Sequence, residues 1–185
     1  VINNSSDQDF NGVLENGGAT GSTLSLTKTG AGTQTISGTS NSYTGNTLVS
    51  GGKLVINGNI STSALTTVQT GATLGGSGTV GALNIDGGGT LAPGTSPGTL
   101  GTGTLTLADT SILSFELNPS DFTVGSNIND LINVTGNLTL DGILNLVATS
   151  GNFLSAAEGD TWRLFNYSGS LTNNTLGIGS MPTLT

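Results

Sequence analysis

The chain has 185 residues, a length suited to one domain with a sizeable core. Only 8% of residues are charged and the net charge is −8, with Lys28, Lys53 and Arg163 as the only cations. Three scattered cations cannot displace phosphate counterions or hold an anionic bilayer, so nucleic acid and anionic membrane surfaces are not expected as partners, and no apolar run near 18 residues offers a membrane span. The absence of Cys and His removes disulfides, thiolate or imidazole metal sites and Ser-His-Asp chemistry.

Hydrophobic residues make up 34%, and the chain holds 31 Gly. The polar remainder is mostly Thr, Ser and Asn. Thr fits a pleated, half-buried surface, while Gly and Asn accept the positive φ of tight corners. Good helix formers are scarce. Many short strands joined by turns are expected.

Taken in chain order, residues 1–22 form a polar opening segment with an apolar patch from Phe10 to Leu14. Strand signals follow at Leu24–Thr27, Lys53–Ile56, Ala72–Leu74, Leu83–Ile85, Thr90–Ala92 and Thr104–Leu107. They continue at Ile112–Leu117, Asn137–Leu140 and Ile143–Val147. These are period-2 strand signals bounded by turn residues. Gly52-Lys53-Leu54, Gly71-Ala72-Thr73-Leu74, Gly89-Thr90-Leu91 and Gly103-Thr104-Leu105 align as one drifting repeat. A period near 20 residues suits one turn of a solenoid, with drift taken up at corners.

The expected architecture is an all-β chain, a parallel β-solenoid over residues 1–185 as one domain. Residues 23–107 are its Gly-rich repeats and residues 108–185 its longer-stranded rungs. About eight or nine rungs at ~4.8 Å each would give a rod roughly 40 Å long. The chain begins at Val1, so a removed leader or a fragment is expected, with more chain following Thr185.

Residues Lys28-Thr29-Gly30-Ala31-Gly32, Asn41-Ser42-Tyr43-Thr44-Gly45 and Gly52-Lys53-Leu54 supply ordered anchors within about 30 residues. This run resembles the autotransporter-associated β-strand repeat. Asp130–Gly142 and Gly159–Phe165 resemble further elements of such passengers. The resemblance implies a right-handed parallel β-helix on the bacterial exterior, built for architecture and display. It brings no catalytic residues. Gly30, Gly32 and Gly45 are expected at turns or close approaches, and Tyr43 at a corner with its hydroxyl reaching solvent or backbone. Lys28 and Lys53 are expected on solvated faces, and Arg163 in a structural or surface role.

No cofactor and no enzymatic activity are expected. Carboxyl pairs such as Asp7/Asp9 and Glu158/Asp160 fall in turns or termini. Asp86-Gly87-Gly88-Gly89 has the glycines of a calcium-binding nonapeptide but not the Asp that follows them. Asp121 and Asp130 are the remaining calcium candidates.

Two readings of function follow. In the first, the chain is an extracellular or cell-surface structural solenoid that self-associates end to end into filaments. Phe10, Val13 and Leu14 would add a strand to a neighbouring copy. In the second, it is an adhesin or carbohydrate-binding module on a host or neighbour surface. There Tyr43, Trp162 and Tyr167 would stack on glycan. A polysaccharide-acting enzyme is the remote third.

Overall fold

A computed structural model describes residues 1–150, 153 and 159–182. Its strands form three parallel sheets that stack rung upon rung. Sheet A holds β1 (Ile2–Asn3), β3 (Leu26–Thr29), β5 (Thr47–Val49), β8 (Thr66–Val68), β11 (Leu83–Ile85), β14 (Leu105–Leu107), β17 (Leu138–Leu140) and β20 (Leu171–Asn173). Sheet B holds β2 (Gln8–Phe10), β4 (Thr33–Ile36), β6 (Lys53–Ile56), β9 (Thr73–Gly76), β12 (Thr90–Pro93), β15 (Ile112–Leu117), β18 (Ile143–Ala148) and β21 (Gly177–Ile178). Sheet C is shorter: β7 (Asn59–Ile60), β10 (Thr79–Val80), β13 (Thr99–Thr102), β16 (Leu131–Val134) and β19 (Phe165–Tyr167). The chain passes from A to B to C and returns one rung higher. The fold is the parallel β-solenoid that the alternation predicts.

Among the described residues, sheets A and B hold eight strands each, which make eight rungs. Seven spacings of ~4.8 Å give a stack about 34 Å long. Inward residues form columns. Gln34, Leu54, Leu74, Leu91, Leu113 and Leu144 are in register along sheet B. Val49, Val68, Ile85 and Leu107 are in register along sheet A. All four aliphatic residues of that second column are at most 2% exposed. Each such side chain contributes about 1.5–3 kcal/mol when buried, mostly through the rungs above and below it.

The register corrects one repeat alignment. Leu54, Leu74 and Leu91 do stack, but the next residue in their column is Leu113, not Leu105. Leu105 lies in sheet A between Leu83 and Leu138. A short Gly-Thr-Leu run looks the same in either sheet, because both sheets bury alternate residues after a turn.

The corners set the shape of the surface. Between sheets B and C, the third and fourth rungs turn in two residues, Asn57-Gly58 and Ser77-Gly78. The rungs there approach too closely for a side chain: a Cβ on Gly78 would lie 2.8 Å from the Asn57 carbonyl carbon. The same corner then lengthens to residues 94–98 and to residues 118–130.

Candidate functional site

The anchor residues of the repeat are internal fasteners. Tyr43 is fully buried, and its hydroxyl lies 2.6 Å from Thr47 Oγ1, which lies 3.0 Å from Ser63 Oγ. The corner placement is as expected, but the hydroxyl points into the core instead of solvent. Its aromatic face is therefore closed to any glycan. Asn41 Nδ2 donates to the carbonyls of Gly38 and Asn59, while its Oδ1 accepts from Leu14 N–H, so one side chain ties three rungs. Gly30 has φ +73°, and a Cβ on Gly32 would lie 2.6 Å from Ser6 N.

Lys28 overturns the expectation of a solvated face. It is fully buried in the inward column beneath Val49. Its Nζ donates to the carbonyls of Thr29 at 2.6 Å, Gly30 at 2.8 Å and Gly51 at 3.1 Å. Those carbonyls belong to the A-to-B corners of two successive rungs. Burial pushes the Lys28 pKa below its ordinary value. Lys53 is half-buried on the outer face of sheet B, where it lies over Gly75. Arg163 is exposed, with a guanidinium nitrogen 3.4 Å from Asn166 Oδ1.

Asp121 and Asp130 are turned to separate structural tasks. Asp130 is fully buried, and its two oxygens accept from Gly98 N–H at 2.8 Å and Glu116 N–H at 2.7 Å. Burial raises its pKa to about 6 against the pull of those two amides, and the nearby Glu116 charge adds to the rise. Asp121 accepts from Thr123 N–H, and contacts with Thr123 hold its carboxyl below the usual range. Among the described residues, no group of three or more acidic side chains gathers to hold a metal. Glu158, of the Glu158/Asp160 pair, lies outside the described residues.

Trp162 is also committed to packing. Its ring contacts Phe122 at 4.9 Å and Phe153 at 5.2 Å, and its Nε1 donates to the Asn118 carbonyl. It packs against these loops and is half-buried. Tyr167 is 47% exposed. It stands in register with Val134 and Thr102 on a core-facing column, in the last sheet C strand among the described residues.

Apolar surface also lies at the two ends of the described stack. At the first rung an apolar cavity of about 340 Å³ opens, lined by Ile2, Phe10, Leu14, Leu24, Leu26 and Ile36. Phe10 belongs to the inward column of Ile36 and Ile56. Val13, beside it, is 53% exposed. At the last rung, Leu171 and Ile178 continue the inward columns of Leu138 and Leu144, yet they are 44% and 61% exposed.

An eight-rung parallel solenoid with its polar side chains drawn inward to clasp corners defines a structural repeat. Residues 26–56 match the passenger-associated-transport-repeat family model. Ninety-six residues are 49% identical to the "Adhesin BmaC autotransporter" of Brucella suis biovar 1 (strain 1330), covering 51% of this chain and 3% of that protein. Seventy-five residues are 44% identical to the "Extracellular serine protease" of Serratia marcescens, covering 40% of this chain and 7% of that protein. The chain carries an autotransporter passenger repeat. It spans only a small part of the length of these relatives.

Proposed function

We propose that this chain is a structural and display solenoid of a bacterial surface or secreted passenger, and that its two ends are stacking surfaces that join copies head to tail. The observation that carries the reading is the parallel rung-on-rung register of sheets A and B, whose common strand direction lets one stack continue another; Leu171, Ile178 and Tyr167 lie on its core-facing columns. The apolar cavity of the first rung has the matching character. Strands β20 and β21 each run parallel to their neighbours. A second copy's β1 and β2 could therefore continue sheets A and B in the same direction. Such a contact is heterologous and builds a filament. Phe10, Val13 and Leu14 would lie at the junction.

The reading is not enzymatic. Lys28, Asp130, Tyr43 and Asn41 hold backbone and core groups in place. The name of the first relative supports adhesion as the task of a longer protein. The likeness to a protease covers too little of that protein to carry its activity here.

Sedimentation and negative-stain electron microscopy across a wide concentration range test the stacking. End-to-end filaments that lengthen with concentration are expected. Ile178→Lys should leave a folded monomer, because the side chain is already exposed and the added charge would be buried at the junction. Monomers at every concentration would sink the head-to-tail reading.

A further inference from the structure

The lengthening B-to-C corner makes a step on the side of the rod. Below it are the tight turns Asn57-Gly58 and Ser77-Gly78; above it stand the loops of residues 94–98 and 118–130. A cavity of about 460 Å³ sits in the angle, lined by Asn57, Ser77, Thr95, Ser96, Pro97 and Asn127. Its lining is entirely uncharged.

Two observations set this step apart from an ordinary loop. First, the overhanging loops are held in place from below. Asp130 accepts from Gly98 N–H and Glu116 N–H, so one carboxyl fixes the end of each loop. Asn129 Nδ2 donates to the carbonyls of Asp121 and Thr123, and its Oδ1 accepts from Asn118 N–H. Gly76 and Gly94 exchange two backbone hydrogen bonds at 2.9 Å across the foot of the shorter loop. Second, the rim is strained where it overhangs. Gly125, Ser126 and Asn127 are three consecutive left-handed residues, with φ 61°, 58° and 59°. Two of them carry side chains, at a cost of about 1 kcal/mol or more each. Within these thirteen loop residues, Thr123, Val124, Ser126 and Asn127 are exposed at the rim while Asn129 and Asp130 anchor its base. Ordered loops that overhang a cavity and contain such strain are commonly where proteins bind.

We infer that this step is a binding site for a neutral oligosaccharide. In it the carboxamides of Asn57 and Asn127 and the hydroxyls of Ser77, Thr95 and Ser96 would hydrogen-bond the ligand's hydroxyls, with the Pro97 ring against a sugar face. Carboxamides and hydroxyls both donate and accept, which matches vicinal sugar hydroxyls. A peptide ligand would call for an open strand edge, an apolar anchor pocket or a charged clamp, and the cavity has none of these among its lining residues. This site goes beyond the structural reading, since a stacked rod needs no ligand. It also moves any sugar contact away from Tyr43, which is buried, and from Trp162, which packs on Phe122 and Phe153.

Asn127→Gly is the informative variant. Glycine accepts φ 59° without strain, so the melting temperature should hold or rise while the carboxamide is lost. Ser96→Ala is a second variant at an exposed position. The wild-type protein is applied to a printed array of neutral and charged oligosaccharides. The strongest neutral binder is then titrated into 15N-labelled protein. Shifts confined to Ser77, Thr95, Ser96 and Asn127, with affinity at least tenfold weaker in both variants, are expected. The inference is overturned by an array with no neutral binder, by a preference for charged glycans, or by affinity unchanged in both variants. None of these outcomes bears on filament growth, so the two readings fail separately.

Discussion

Gly76→Ala should destabilise the protein by about 3–5 kcal/mol, enough to unravel the rungs around it. Gly76 has φ +108°, a conformation that L side chains rarely adopt. An added Cβ would strike the Ile56 carbonyl oxygen and lie 2.6 Å from Ile56 N. Both atoms are backbone of the rung below, so no side chain can swing aside. Relief requires separating β6 from β9, which breaks the Leu54–Leu74 register at the centre of sheet B. The variant should also release Gly94, whose N–H bonds Gly76, and with it the shorter overhanging loop. Urea unfolding with hydrogen exchange would check this. The lost protection should centre on rungs three to five, because a solenoid is held by neighbour contacts. A midpoint within error of wild type would show that the rungs are not in such close contact.

Lys28→Met should cost about 3 kcal/mol. Methionine fills nearly the same volume, so packing is conserved. What is lost is an ammonium that satisfies the carbonyls of Thr29, Gly30 and Gly51. A hydrogen bond to a charged group contributes about 1.5–3 kcal/mol, and buried carbonyls left without a donor add to the loss. Against this, the substitution removes the cost of burying an unpaired charge. Three contacts at one nitrogen make the loss the larger effect. Lys28→Arg should not rescue, since a planar fork cannot replace a compact ammonium among three converging carbonyls. A thermal or urea midpoint equal to wild type in Lys28→Met would show that the ammonium does not clasp the corners.

Asp130 gives a pH dependence whose sign follows from its raised pKa. The folded protein holds that proton up to about pH 6, and the unfolded chain releases it near 3.8. Its contribution is therefore fully present below about pH 4 and is lost as pH rises towards 6. By the shift alone the change is at most about 3 kcal/mol. The stability difference between wild type and Asp130→Asn, followed by urea unfolding from pH 4 to 7, should fall across that window. A flat difference would place the carboxyl in a solvated setting.

Much of the fold can be read from the residues alone. Leu54, Leu74 and Leu91 alternate with polar neighbours after Gly turns, and they stack as that spacing implies. The alternation of Leu26 with Lys28 also points Lys28 inward; its charge argued the other way, and the carbonyl cluster that outweighs the charge exists only when two rungs meet. Tyr43 fails for a similar reason, since Thr47 and Ser63 reach it only from inside the core. Asp130 stands out as an acidic residue beside a loop, but its partners Gly98 and Glu116 arrive from two different rungs. Asn57, Ser77 and Asn127 carry no local signal. They converge because the same corner is short in two rungs and long in the next, and corner lengths cannot be compared until each strand is assigned to its sheet.

The arrangement of rungs can be measured directly, because the chain has no native Cys. Thr27 and Thr172 lie on the outer face of sheet A, on the second and last rungs, joined through Leu48, Thr67, Asn84, Thr106 and Thr139. Cysteines placed at both positions and spin-labelled should report a single narrow distance near 29 Å, six spacings of about 4.8 Å. Strands laid side by side in sequence order would hold the labels more than twice as far apart. A broad distribution, or a distance beyond about 45 Å, would contradict the stacked solenoid on which the structural and binding readings both rest.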